Sequence, residues 1–172
     1  MPCCGPATRS RSCPPSAVAE RQADLRIRLW SGTFDPLANL AAWQEELPVE
    51  SSPAAAEAHF IGRVRNTTAA GEPLEALELE HYPGMTELQI ERLAAACARR
   101  HGLAAVRVDH RVGRIAPGEA IVLVAVRADR RGPAQRALME LLEAIKGEAP
   151  FWKREWSAGR GRWVGNTPLA GG

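Results

Sequence analysis

The chain reads as an α+β protein built on a largely antiparallel sheet flanked by helices. Three observations predict this. Several short segments alternate apolar and polar residues with a period of two, as half-buried strands do. Two longer segments carry apolar stripes at helical spacing, each bounded by start and stop signals. The strands and helices are mixed rather than strictly alternating, which argues against a doubly wound parallel sheet.

Residues 1–24 are rich in Pro, Ser and Arg and poor in apolar periodicity, and are expected to be a flexible N-terminal extension. Cys3, Cys4 and Cys13 lie there without a nearby His or a recognisable ligand spacing, so a tail is favoured over a metal knuckle. The folded domain is expected over 25–165, and 166–172 is expected to fray. Leu25, Ile27 and Leu29 alternate with Arg26, Arg28 and Trp30, which predicts a strand. Leu37, Leu40, Ala41 and Trp43 predict a helix over Pro36–Glu46, followed by a loop over Glu50–Glu57. The next strand is expected over His59–Asn66, with Gly62 marking a bulge or a close approach.

Thr67–Pro73 reads as a polar, mobile loop, and Leu74–Tyr82 as a strand with Leu77, Leu79 and His81 on one face. A helix follows. Thr86 and Gln89 suggest a capping box, Met85 and Ile90 a hydrophobic staple, and Gly102 a stop. Its buried stripe is Ile90, Leu93, Ala94 and Cys97, which makes Cys97 a core residue rather than a nucleophile. Ala105–Ile115 and Ala120–Ala128 are predicted strands joined by a Pro117-Gly118 turn. The second is nearly continuous in Val, Leu and Ile and should be central. Pro133 should open a last helix lined by Ala137, Leu138, Leu141, Leu142 and Ile145, with Lys146 in its last turn and Gly147 ending it. Trp152, Trp156 and Trp163 fall in a partly extended C-terminal region.

A net charge of +2 provides no global field for polyanions, so any phosphate chemistry must come from a local cluster. An aromatic content of 5% leaves little for base stacking, and nucleic acid is not expected as a partner. No apolar run approaches the roughly 18 residues of a membrane span, and the start lacks a signal peptide's apolar centre. A cytoplasmic protein that avoids membranes is expected.

The cations collect in three places. Arg63 and Arg65 share a strand face on either side of Val64. Arg130 and Arg131 precede a helix N-terminus, where backbone N–H groups favour an anion. Lys146, Lys153 and Arg154 surround the rigid turn Pro150-Phe151-Trp152, just ahead of Glu155. If these segments converge, they form a phosphate or carboxylate pocket. Arginine neighbours would disfavour the charged form of a lysine there and free it for proton transfer or nucleophilic attack. Against this stands the ordinary reading of exposed cations as solvated surface, and of Lys146 as a complement to its helix C-terminus. His81 and His110 read as structural histidines. No catalytic triad, metal cluster, phosphate-binding loop or dinucleotide motif stands out.

Five segments narrow the choice: Phe60-Ile-Gly-Arg-Val-Arg-Asn66, Leu79-Glu-His-Tyr-Pro-Gly-Met85, His110-Arg-Val-Gly113, Pro117-Gly-Glu119, and Lys146 with Ala149-Pro-Phe-Trp-Lys-Arg-Glu155. In this order they resemble the large, catalytic subunit family of molybdopterin synthase, the MoaE family, over about Leu25 to Val164. The resemblance implies a hammerhead-type α+β fold and a homodimer. It also implies a heterotetramer with a small ubiquitin-like sulfur carrier, whose Gly-Gly end is a thiocarboxylate. The implied reaction transfers two sulfurs to cyclic pyranopterin monophosphate and forms the molybdopterin dithiolene, with no cofactor and no resident metal. The family's two key lysines fall on Lys146 and Lys153. Its substrate-binding residues fall on Arg63, Val64, Arg65, Arg130, Arg131, Arg154 and Glu155. Arg130 stands where the family has histidine, which removes a proton-transfer group there and keeps an anion-holding one. Arg63 replaces a lysine and keeps the charge.

Two other readings compete with this one. One is a non-catalytic anion-binding module using the same cluster. The other takes the ending Leu169-Ala-Gly-Gly172 as a sulfur-carrier tail. A carrier needs its own compact strand-helix set beside that tail, and the preceding Trp-rich region is not one.

Overall fold

The computed structural model describes residues 22–46 and 54–165. The expected tail 166–172, and the N-terminal extension up to residue 21, lie outside the described residues. Among the described residues, eight strands and three helices run in the order β1 (Asp24–Trp30), α1 (Pro36–Glu46), β2 (Ala56–Arg63), β3 (Ala76–His81), α2 (Met85–His101), β4 (Ala105–Arg111), β5 (Gly113–Ile115), β6 (Ala120–Ala128), α3 (Arg131–Glu148), β7 (Phe151–Ser157) and β8 (Arg160–Val164). They form two four-stranded sheets, ordered β1-β4-β6-β2 and β5-β3-β7-β8. Among these strands β1 and β4 pair in parallel, and the other described ladders are antiparallel.

The apolar run of β6 is explained by cover on both faces. Val124 and Val126, with Val106 and Val108 of β4, meet Ile90, Ala94 and Cys97 of α2 and Ala137, Leu141 and Ile145 of α3. On the other face Leu123 and Ala125 meet Leu40 and Trp43 of α1. A strand covered on two sides has no solvent face to alternate with. The second sheet buries Leu77, Leu79 and Ile115 with Val64 and Leu74.

Several boundaries differ from expectation. The predicted strand Ala105–Ile115 is two strands in different sheets. The chain bends at Gly113, whose φ of 77° a side-chain-bearing residue rarely adopts. β2 starts at Ala56, inside the expected loop, because its alanines pair with β6 (Ala56 opposite Ala128) despite their low strand propensity. The Thr67–Pro73 loop is tied across its neck, with Thr68 N–H donating to Glu72 O at 2.8 Å. The α2 cap lies one residue earlier in the chain than Met85. The Glu87 carboxylate accepts the Gly84 N–H at 2.7 Å, whereas Thr86 is buried and its hydroxyl accepts from Tyr82 N–H at 3.2 Å. Met85 is 52% exposed and makes no staple. Helix α3 starts at Arg131, ahead of Pro133, and passes through Gly147 to Glu148. Gly102 ends α2 in the left-handed conformation, as expected. Cys97 is buried, and its thiol is pushed up to about 11 by that burial and by the Glu140 carboxylate, so it is no nucleophile at neutral pH.

Gly62 is both of the things its position in a strand suggested. The β2–β6 register shifts between Gly62 and Arg63, and a Cβ on Gly62 would stand 2.9 Å from Val122 Cγ1. We expect Gly62→Ala to cost about 1–3 kcal/mol by overpacking, read by chemical denaturation.

Candidate active site

Val64 is fixed by the turn before β6. Its N–H donates to Glu119 O at 3.0 Å, and its carbonyl accepts the Gly118 N–H at 2.8 Å. The guanidinium of Arg63 donates to Gly118 O at 3.1 Å. Val64 is buried while Arg63 and Arg65 stay exposed on either side of it. The turn is held in its own right. Glu119 accepts from Ala116 N–H at 2.9 Å and from the Thr33 hydroxyl at 3.0 Å, and buried Arg111 lies 3.7 Å from the same carboxylate. These partners, the Ala116 N–H first, hold the Glu119 carboxyl below the usual carboxylate range.

Strand β7 carries the second group. Pairing with β3 sets Phe151 opposite His81, Lys153 opposite Leu79 and Glu155 opposite Leu77, all on one face. Lys153 Nζ lies 3.6 Å from Glu155 Oε1, and Glu155 is buried. Glu155 also accepts from Ala69 N–H at 3.4 Å. Arg154 points to the other face. There it pairs with Glu78 at 3.4 Å and Glu80 at 3.3 Å, and lies over the Trp163 ring at 3.9 Å. The side chains of Lys153 and Arg154 therefore do not share one pocket, because neighbouring strand residues point to opposite faces. Among the described residues the charged partner of Lys153 is the Glu155 carboxylate, where the sequence suggested arginine neighbours.

The Glu155 face opens on a cleft of ≈ 660 Å³ whose lining includes Thr68, Glu72, Glu155, Arg160, Arg162 and Val164. Arg160 and Arg162, which are not among the cations singled out above, thus stand beside the candidate site. The signal that could have found them is their alternation with Gly161 and Trp163 after a turn.

His110 links the two sheets. Its ring stacks on Phe151 with centroids 4.4 Å apart, and its Nδ1 lies 2.8 Å from Arg111 O. Burial lowers its pKa to about 4 from 6.5. An unfolded chain binds this proton below about 6.5 and the native state does not, so stability is full above that pH and is lost as pH falls toward 4. The expected loss is about 3 kcal/mol, from 1.36 kcal/mol per pKa unit. Denaturation at pH 7 and pH 4.5 should show this slope, and His110→Phe, which keeps the stack, should flatten it.

Helix α3 separates the remaining cations. Arg131 opens it, Arg130 caps it, and Lys146 is in its last turn. Fifteen residues at 1.5 Å each put about 22 Å between Arg131 and Lys146. One chain therefore brings Arg63, Val64 and Arg65 onto one turn and Lys153 and Glu155 onto one face. It cannot bring the Arg130–Arg131 pair to Lys146.

A fold of this topology with two lysines flanking a helix-to-strand turn defines a class, and the comparisons identify it. The profile of the MoaE protein family matches residues 35–148, and the chain belongs to that family. A molybdopterin synthase catalytic subunit from Ralstonia nicotianae is 41% identical over 138 residues, covering 80% of this chain and 76% of its own. The MoaE protein of Burkholderia ambifaria has a similar structure, with TM-score 0.65 and 40% identity, covering 83% of this chain and 88% of that one. A chain from the Helicobacter pylori complex of subunits 1 and 2 of molybdopterin-converting factor shares the fold, with TM-score 0.67, 20% identity and coverage of 80% and 89%.

Proposed function

We propose that this chain is the catalytic subunit of a molybdopterin synthase, a sulfurtransferase of molybdenum cofactor biosynthesis. It takes sulfur from the thiocarboxylated Gly-Gly end of a small ubiquitin-like carrier and gives it to cyclic pyranopterin monophosphate. The observation that carries this reading is membership of the MoaE family with Lys146 and Lys153 both present at the turn after α3. The Helicobacter pylori relative in fold occurs with a second subunit, which supports a small partner here.

The proposed roles follow the geometry. Lys146 performs acid–base or transient covalent work beside the thiocarboxylate. Lys153, steered by Glu155, positions substrate and moves protons. Arg63 and Arg65, presented by the pinned Val64, hold the substrate phosphate. Arg154 fixes β7 through Glu78 and Glu80, which leaves Lys153 and Glu155 on the opposite face of the strand, with Glu155 lining the cleft. Arg130 and Arg131 serve the site of a second copy, because α3 keeps them from Lys146 of their own chain. A homodimer, joined by two carriers into a heterotetramer, is the assembly this reading expects. No helix among the described residues is long and apolar enough to cross a membrane; the cytoplasm is the proposed setting.

The test is assembly and turnover together. Sedimentation of the chain with carrier should give a two-to-two complex that converts the cyclic precursor to dithiolene product. A chain that binds neither carrier nor precursor contradicts the proposal.

A further inference from the structure

Cys97 and His101 stand four residues apart on α2 and project to the same side, toward Glu140 of α3. The Cys97 Sγ, a His101 ring nitrogen and a Glu140 oxygen all lie within 4.8 Å of one another. His101 Nε2 is 2.7 Å from Glu140 Oε2, and Cys97 Sγ is 3.4 Å from Ala137 O. Neither Cys97 nor His101 belongs to the proposed reaction, and the sequence alone gave no metal pattern, because Glu140 is 39 residues beyond His101.

We propose that Cys97, His101 and Glu140 form a site for a divalent transition metal, zinc in particular, that clips α2 to α3. The donor set is one thiolate, one imidazole and one carboxylate, which suits zinc better than the oxygen-seeking magnesium or calcium. A tetrahedral centre separates its donors by slightly more than the present hydrogen bond. Binding therefore requires His101 Nε2 and Glu140 Oε2 to move apart by a few tenths of an ångström, within rotamer freedom. The charges balance: thiolate and carboxylate neutralise a dication. Arg100, which pairs with the other Glu140 oxygen, is 65% exposed at its side chain and can stay outside. The site sits in the last turns of α2, where the helix dipole favours a cation. Access is present, since the Glu140 side chain is 33% exposed and that of His101 13%. A water would take the fourth position. On binding, the metal displaces the thiol proton to solvent and no electron moves.

Cobalt(II) titration of the full chain under a non-chelating reductant provides the test, read by the thiolate-to-cobalt charge-transfer band. Because Cys3, Cys4 and Cys13 could also bind cobalt, the titration is run on the chain with all three changed to Ser. The band should persist there at one metal per chain and vanish with Cys97→Ser added. Glu140→Gln, a near-isosteric change at a part-exposed position, should weaken cobalt binding at least tenfold while the far-UV circular dichroism of the chain is unchanged. Zinc at a hundred times its Kd should raise Tm by roughly 5–10 °C. No band in the Cys3, Cys4, Cys13 variant, or a band indifferent to Glu140→Gln, would overturn the proposal.

Discussion

Lys146→Ala should lower product formation by about 100- to 10,000-fold, the range of a lost general acid–base group, while the fold and carrier binding persist. The fold should survive because Lys146 is exposed in the last turn of α3 and its neighbour Ile145 supplies the buried contact. What is lost is a dipole complement worth less than about 1 kcal/mol at an exposed helix end. Carrier affinity, thermal unfolding and single-turnover rate, measured on one preparation, separate these effects. Lys153→Ala should also fail in turnover, with a different signature. Glu155 is buried and loses its cation, so stability should fall as well. Unaltered turnover in Lys146→Ala removes that residue from the reaction.

Mixing two inactive variants should restore activity. If α3 holds Arg131 about 22 Å from Lys146, a complete site takes Lys146 from one copy and Arg131 from the other. Lys146→Ala and Arg131→Ala chains should each be nearly inactive alone. Co-refolded in equal amounts, half the dimers are mixed, and each mixed dimer has one intact site of two. Activity should return to roughly a quarter of the unaltered level, the share that two-fold symmetry allows. Recovery absent after proven subunit exchange would mean that each site is built from a single chain. Arg130→His should be tolerated, since an anion-holding role accepts either cation.

Much of the fold was legible because its segments obey local rules. The α1 limits, the central position of β6 and the Gly102 stop all follow from apolar period and backbone chemistry visible in the chain. The errors occurred where distant residues decide. Nothing near Ala56 announces a strand; its partner Ala128 does, 72 residues away. Nothing in Val112 or Gly113 announces that the chain changes sheets there, because alternation continues through the bend. The candidate site was legible as residue types and only partly as geometry. Glu155 was readable as a neighbour of Lys153, but strand alternation places Arg154 opposite both, against Glu78 and Glu80. The pinning of Val64 by Gly118 and Glu119 pairs residues more than fifty apart and needed the structure.

The most direct test follows the sulfur. The carrier is prepared with a heavy-sulfur thiocarboxylate and mixed with the purified chain and cyclic pyranopterin monophosphate, and the product is weighed by mass spectrometry. The account predicts a dithiolene carrying two heavy sulfurs, two carriers returned as carboxylates, and product formation with Lys146→Ala lowered at least about a hundredfold. Intact precursor and unspent thiocarboxylate beside a demonstrable chain–carrier complex would contradict it.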